Sequence, residues 1–301
     1  MSELILAYRT GEDLANAVAE AEDAFNAQIS RVAEELSADN ETRILSMAGP
    51  TCSGKTTAAA RLSEKLQALG RRAVALSIDD FYLDRSVIDA MGDEPDYESF
   101  SAIDSAYLSE CVGRLLGGQR AMIPRYSFAE GGRAGYSECV PQSGDIYIFE
   151  GIQALYPQVM ELFGHSAKSL FISVADDAVI NGVFFDKTEL RLVRRLLRDF
   201  NNRATSADET LTLWKSVRKN EEANILPYAG GCDFTVSSYL AYETPVIARA
   251  LVGILAQVPE ESVNYPLANH LAAKLSLLLP VSADTDIVPE GSILREFTGR
   301  A

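Results

Sequence analysis

The sequence predicts an α/β fold, a doubly wound parallel sheet with helices on both faces, and three features carry that expectation. Short, nearly continuous apolar runs alternate with helical patterns, as strands buried on both faces of a parallel sheet require. A glycine-bounded loop from Gly49 to Gly54 joins the first such run to a helical stretch. The chain of 301 residues, 47% hydrophobic and 23% charged, is long and apolar enough for one large core.

Residues 12–37 are rich in Ala and Glu with apolar positions three or four apart, which predicts an amphipathic helix, and residues 1–42 are read as a helical leader. Arg43 to Ala48 is the first strand of a central domain spanning residues 43–238, and Lys55 to Leu69 is a helix ended by Gly70. Ala73 to Ile78, Ile146 to Phe149, Ser169 to Val174 and Asp233 to Ser237 supply further strands. Helical patterns at Tyr239 to Gln257 and about Tyr265 to Leu279 precede a polar tail, so residues 239–301 read as a helical addition packed on that domain. No internal repeat or linker divides the chain.

Composition excludes several classes of function. A formal charge of −16 repels polyanions, so bulk binding to nucleic acid is not expected and any anionic ligand needs a local basic pocket. The apolar stretches Thr244 to Val258 and Leu271 to Val281 carry Arg249 or Lys274 and are too short to span a membrane. The start lacks a basic region before an apolar core, which predicts a cytoplasmic protein. Four widely spaced cysteines, Cys52, Cys111, Cys139 and Cys232, form no metal or redox pair and are expected as reduced thiols. Homo-oligomerisation is left open.

Gly49-Pro50-Thr51-Cys52-Ser53-Gly54-Lys55-Thr56 fits the phosphate-binding pattern G-x-x-x-x-G-K-[ST] and lies between a strand and a helix, as its mechanism demands. The glycines allow backbone N–H groups to surround phosphate oxygens at a helix N-terminus. Lys55 neutralises the β- and γ-phosphates, and the Thr56 hydroxyl ligates Mg²⁺. The fold is therefore expected to be a P-loop NTPase. Its candidate ATP-binding residues are Gly49, Thr51, Cys52, Ser53, Gly54, Lys55, Thr56 and Thr57, with ATP or GTP as donor. At position 52 the side chain need only be small.

The second strand ends in Ser77-Ile78-Asp79-Asp80-Phe81-Tyr82, which places carboxylates and aromatics at the sheet edge where an acceptor belongs. Asp79 is the candidate base that activates the attacking hydroxyl, while Asp80 can equally cap the next turn. Asp145-Ile-Tyr-Ile-Phe-Glu150 ends at the same edge, and Glu150 is a second candidate for holding Mg²⁺. Arg191, Arg194, Arg195 and Arg198 share one helical face by their spacing, with Leu192, Leu196 and Phe200 facing the core. In an acidic protein such a face suggests guanidinium groups aimed at phosphates, against the alternative of pairing with nearby acids. His165 and His270 read as surface or packing residues, and Trp214 as core or lid packing.

Together the loop, Asp79-Asp80-Phe81-Tyr82, Asp93-Glu94-Pro95-Asp96, Pro124-Arg125-Tyr126-Ser127-Phe128, Phe149-Glu150-Gly151-Ile152 and Arg194-Arg195-Leu-Leu-Arg198-Asp199 resemble the uridine kinase and phosphoribulokinase family over roughly Arg43 to Ser237. The resemblance implies a P-loop kinase domain with an Arg-rich lid near residues 191–212. It places the catalytic aspartate on Asp79, the ribose-binding aspartate on Asp93 and the base-stacking tyrosine on Tyr126, with Tyr82 lining the acceptor pocket. Lid arginines fall on Arg195, Arg198 and Arg203; Lys55, Arg195 and Arg198 complete the catalytic set, and Arg195 also faces the substrate. Three positions depart from the family pattern: Gly131 replaces a base-contacting histidine, Ser127 an aspartate and Thr205 a lid arginine. The flanks Asn16 to Leu36 and Ser292 to Phe297 resemble bacterial uridine-kinase-like proteins carrying a threonyl-tRNA-synthetase-like region, which this sequence is expected to lack. The implied reaction is phosphorylation of a nucleoside 5′-hydroxyl, uridine first. The alternatives are a different small alcohol or sugar phosphate as acceptor, and a non-catalytic nucleotide-binding module.

Overall fold

The computed structural model describes residues 3–91, 98–281 and 285–299. Its elements run β1 (Glu3–Leu6), α1 (Gly11–Ala38), β2 (Ile44–Ala48), α2 (Lys55–Ala68), β3 (Ala73–Ser77), α3 (Arg85–Asp89), α4 (Ser105–Leu116), β4 (Ala121–Ser127), β5 (Gly132–Cys139), β6 (Ile146–Glu150) and α5 (Pro157–Phe163). They continue as β7 (Ala167–Ser173), β8 (Asp177–Ile180), β9 (Val183–Phe185), α6 (Lys187–Arg203), α7 (Ala207–Asn224), β10 (Phe234–Ser237), α8 (Glu243–Leu255), α9 (Tyr265–Ser276) and α10 (Arg295–Thr298).

Five parallel strands form the central sheet in the order β10-β7-β2-β6-β3. Because side chains alternate along a strand, each buried strand feeds two cores. Leu45 and Met47 of β2 and Ile146 and Ile148 of β6 pack under α1, α2, α6 and α8. Ile44 and Ala48, with Tyr147 and Phe149, face the opposite core with α4 and α5. This is the doubly wound arrangement expected, and its five strands coincide with the five apolar runs within two residues at each end.

Two expectations for the chain ends are corrected. Glu3–Leu6 is a strand, not part of a helix, and pairs with β8 in a small separate sheet ordered β1-β8-β9. Four residues are too few to show periodicity. The tail, packed on the domain as expected, is not polar throughout: Ile293, Leu294 and Phe297 are fully buried and belong to the main core. Among the described residues no helix is long and apolar enough to cross a membrane.

Candidate functional site

The phosphate loop leaves the carboxyl end of the central strand β2. A Cβ at Gly49 would overlap the carbonyl oxygen of Ile172, so only glycine lets the chain turn away from β7 here. Cys52 adopts a left-handed φ of 58° and Gly54 one of 81°. Gly54 caps α2 without any side-chain hydrogen bond, which leaves the first N–H groups of that helix to an anion. Lys55 Nζ bridges the carbonyl oxygens of Gly49, at 2.9 Å, and Pro50, at 3.3 Å. Ser53 is buried with its hydroxyl unpartnered.

Sheet register brings the carboxylates to this loop. Glu150 lies opposite Met47 on one side and Ser77 on the other. The residues that follow those partners are the phosphate loop and Asp79, so all three features meet at one sheet edge. Thr56 Oγ1 donates to Glu150 Oε1 at 3.3 Å. Asp79 is partly buried, and its Oδ1 is shielded from solvent without a hydrogen-bond partner. Burial raises the Asp79 carboxyl above its ordinary range; Lys55 pulls it down and Asp80 pushes it further up. Burial likewise raises Glu150, against the pull of Lys55. Two partly buried carboxylates beside one ammonium suit a hard divalent cation that brings its own waters and phosphate oxygens. Among the described residues no group of three His, Cys, Asp or Glu side chains forms an all-protein metal cage.

An aromatic cluster follows Asp79. Tyr82 and Tyr126 rings lie 5.7 Å apart, and Phe128 stands edge-on to both at 6.0 Å and 5.1 Å. A register shift between Arg125 and Tyr126 re-aims β4 there, and the Tyr126 N–H donates to Asp80 Oδ1 at 3.0 Å. Asp80 therefore anchors a strand. Two residues at this site were not found in the sequence. Gln153, fully buried, donates from Nε2 to the Tyr82 hydroxyl at 2.6 Å and keeps its own Oε1 unpaired. Arg85 packs over Gly131, where an added Cβ would lie 3.1 Å from Arg85 Cβ. No pattern marked either one, because both act through contacts distant in sequence. Asp93 lies outside the described residues.

The arginine helix splits into two groups, and the expectation that its whole face is aimed at phosphates is corrected for two members. Arg191 pairs with Glu221 at 2.6 Å and donates to the Thr51 carbonyl at 3.3 Å. Arg194, fully buried, pairs with Glu243 at 2.6 Å and donates to the Cys52 carbonyl at 3.1 Å. Glu221 also accepts the Thr51 N–H at 3.2 Å. These two guanidinium groups brace the back of the loop, because the acids that neutralise them come from α7 and α8. Arg195, Arg198 and Arg203 instead converge on Asp199 at 3.2, 2.7 and 3.8 Å. Arg198 also reaches Thr51 Oγ1 at 3.5 Å. Phe200 is 40% exposed and does not join the core, unlike Leu192 and Leu196. Trp214 is buried beneath Arg191, with 5.5 Å between guanidinium and ring.

A parallel sheet carrying a glycine loop, a lysine, a hydroxyl–carboxylate pair and a buried aspartate at one edge defines a P-loop kinase. The chain belongs to the phosphoribulokinase/uridine kinase family, whose model matches residues 44–244. It is 29% identical over 178 residues to a uridine kinase of Staphylococcus aureus, a match covering 58% of this chain and 77% of that protein. It is 26% identical over 170 residues to uridine-cytidine kinase C of Dictyostelium discoideum, covering 56% of this chain but only 32% of the longer relative. Among solved structures it is similar to a phosphoribulokinase from Rhodobacter spheroides, with a TM-score of 0.45, 14% identity and coverage of 66% and 71% of the two chains. A D-glycerate 3-kinase from Cryptococcus neoformans gives 0.40 at 17% identity, covering 91% and 88%.

Proposed function

We propose that this kinase transfers the γ-phosphoryl group of ATP to the 5′-hydroxyl of a nucleoside, with pyrimidine nucleosides, uridine first, as the preferred acceptors. The observation that carries this reading is the unpaired, shielded Oδ1 of Asp79, set between the phosphate loop and the aromatic pocket of Tyr82, Tyr126 and Phe128. The names of the sequence relatives point the same way.

In this account the loop amides and Lys55 grip the triphosphate, with Thr57 beside them in the first helical turn. Lys55 must exchange the carbonyls of Gly49 and Pro50 for phosphate oxygens, a trade a flexible ammonium makes readily. Thr56 and Glu150 are the residues that would hold Mg²⁺, which when bound neutralises charge between the β- and γ-phosphates. Asp79 takes the proton of the attacking hydroxyl. Its environment raises its proton affinity and so makes it a stronger base than a solvated aspartate. Tyr126 stacks on the base, with Phe128 packed edge-on against the tyrosine ring at 5.1 Å, and Tyr82, oriented by Gln153, directs its own proton toward the acceptor. Arg198 and Arg195, gathered by Asp199, swing to the transferring group, while Arg203 at the exposed helix end closes over the donor. A cytoplasmic setting fits the four unbridged thiols.

Arg85 over Gly131 favours one second reading, an acceptor bearing an anionic group such as a sugar phosphate, since the guanidinium borders the aromatic pocket. Incubation of the protein with labelled ATP, Mg²⁺ and a panel of uridine, cytidine, adenosine, ribulose 5-phosphate and pantothenate separates the two. Label on a pyrimidine nucleoside supports the proposal; label only on a non-nucleoside reverses it.

A further inference from the structure

The phosphate loop has a second neighbour outside the matched family region. Residues 288–299 run across the first turns of α2 and the end of α6. Ile293 is fully buried against Gly54, where an added Cβ would lie 2.8 Å from its Cγ2. Arg61 Nε donates to the Gly291 carbonyl at 3.0 Å, and the Ser292 hydroxyl lies 2.9 Å from that of Tyr242. Asn202 Nδ2 and Asn201 Nδ2 hold the carbonyls of Glu296 and Phe297 at 3.1 Å and 3.2 Å. Glu296 is thus pinned by its backbone. Its carboxylate Oε2 accepts from Thr57 Oγ1 at 2.9 Å, within the first turn after Lys55.

Between this segment and α2 opens a cavity of about 750 Å³, lined among others by Thr56, Thr57, Arg61, Gly291, Arg295 and Glu296. That is the volume of a small-molecule site. Arg295 lines it, with Nη2 donating to the Val288 carbonyl at 2.6 Å and Nε shielded from solvent without a partner. A triphosphate whose reacting end sits at Lys55 and Asp79 must leave the loop past the helix start, where Thr57 stands. A carboxylate at that exit repels phosphate but accepts hydrogen bonds from a vicinal diol, the use that acidic residues find on nucleotide riboses.

We propose that the C-terminal segment forms the donor's nucleoside subsite, with Glu296 accepting from the ribose hydroxyls and the base entering the cavity beside Arg295. This rests on the reading that the loop binds a nucleoside triphosphate. The segment then joins donor recognition to the arginine helix through Asn201 and Asn202.

Calorimetric titration of the full chain with the Mg²⁺ complexes of ATP, 2′,3′-dideoxy-ATP and inorganic tripolyphosphate tests it, alongside Glu296→Gln, which keeps an acceptor for Thr57. The wild type should bind dideoxy-ATP about tenfold more weakly than ATP, the size of a hydrogen bond to a charged group. Glu296→Gln should weaken ATP by a similar factor, leave tripolyphosphate unchanged and no longer distinguish the two nucleotides. Equal wild-type affinity for ATP and dideoxy-ATP overturns the subsite without needing any variant. A variant that still discriminates as the wild type does, or that loses ATP and tripolyphosphate alike, overturns it too. A wild type that binds ATP no better than tripolyphosphate removes the subsite and leaves the phosphate loop standing; binding of neither removes both.

Discussion

Thr56 and Glu150, 94 residues apart in sequence, meet through a 3.3 Å hydrogen bond at the carboxyl edge of the sheet. The contact follows from register, since β2 and β6 are ladder partners that end together. Under the proposed function the same two side chains would hold Mg²⁺. Glu150→Gln should raise the Mg²⁺ concentration needed for half-maximal rate by about 10–100-fold, in the range found when groups around a metal are altered. Initial rates across a Mg²⁺ series check this; an unshifted curve would remove Glu150 from the cation site.

The raised Asp79 carboxyl has two consequences of opposite sign. As a base it must be ionised, so kcat/KM should fall as pH drops through a value above the ordinary aspartate pKa of about 3.9. For stability, the folded state holds this proton more tightly than the unfolded chain. The carboxyl's stability contribution is therefore complete below the unfolded pKa and lost as pH rises through the folded one. Asp79→Asn escapes that loss, and its Tm should exceed that of the wild type at pH 7, with the gap closing in acid. Thermal melts of both proteins across pH decide it; a variant less stable at pH 7 contradicts the electrostatic account.

Arg194 and Glu243 form a fully buried ion pair that holds the Cys52 carbonyl, and with it a left-handed residue in the phosphate loop. Removing one partner leaves an uncompensated charge, so Arg194→Met should cost about 3–5 kcal/mol in denaturant unfolding. Adding Glu243→Leu should recover most of the stability while ATP binding stays impaired, because the loop has lost its brace. Full recovery of both would show that the pair serves stability alone.

This pair also marks where sequence reading stops. Spacing placed Arg191, Arg194, Arg195 and Arg198 on one helical face, and they do share it. What each guanidinium does depends on acids from other helices, Glu221 on α7 and Glu243 on α8, which no local periodicity reveals. The loop, Asp79 and Glu150 were legible because strand, glycine pattern and chain direction constrain them locally. Strand β1, the burial of Ile293 and Phe297, and the Gln153–Tyr82 hydrogen bond were not, since each is fixed by a partner far along the chain.

The proposed function puts Tyr126 in the acceptor pocket, and its backbone N–H is held by Asp80 rather than by the phosphate loop. Tyr126→Ala should raise the KM for uridine about tenfold, as loss of one base-stacking ring does, and leave the KM for ATP unchanged. Steady-state kinetics with each substrate varied in turn separate the two; an equal rise in both KM values would place Tyr126 in the frame of the fold and not at the acceptor.

In the proposed function Lys55 and Asp79 serve one cleft, the first gripping the donor and the second activating the acceptor. The most direct measurement pairs MgATP affinity with uridine-dependent turnover in Lys55→Met and Asp79→Asn. Asp79→Asn should bind MgATP like the wild type and lose turnover by about 10²–10⁴-fold, whereas Lys55→Met should lose both. Turnover by Asp79→Asn within a fewfold of the wild type would contradict the account.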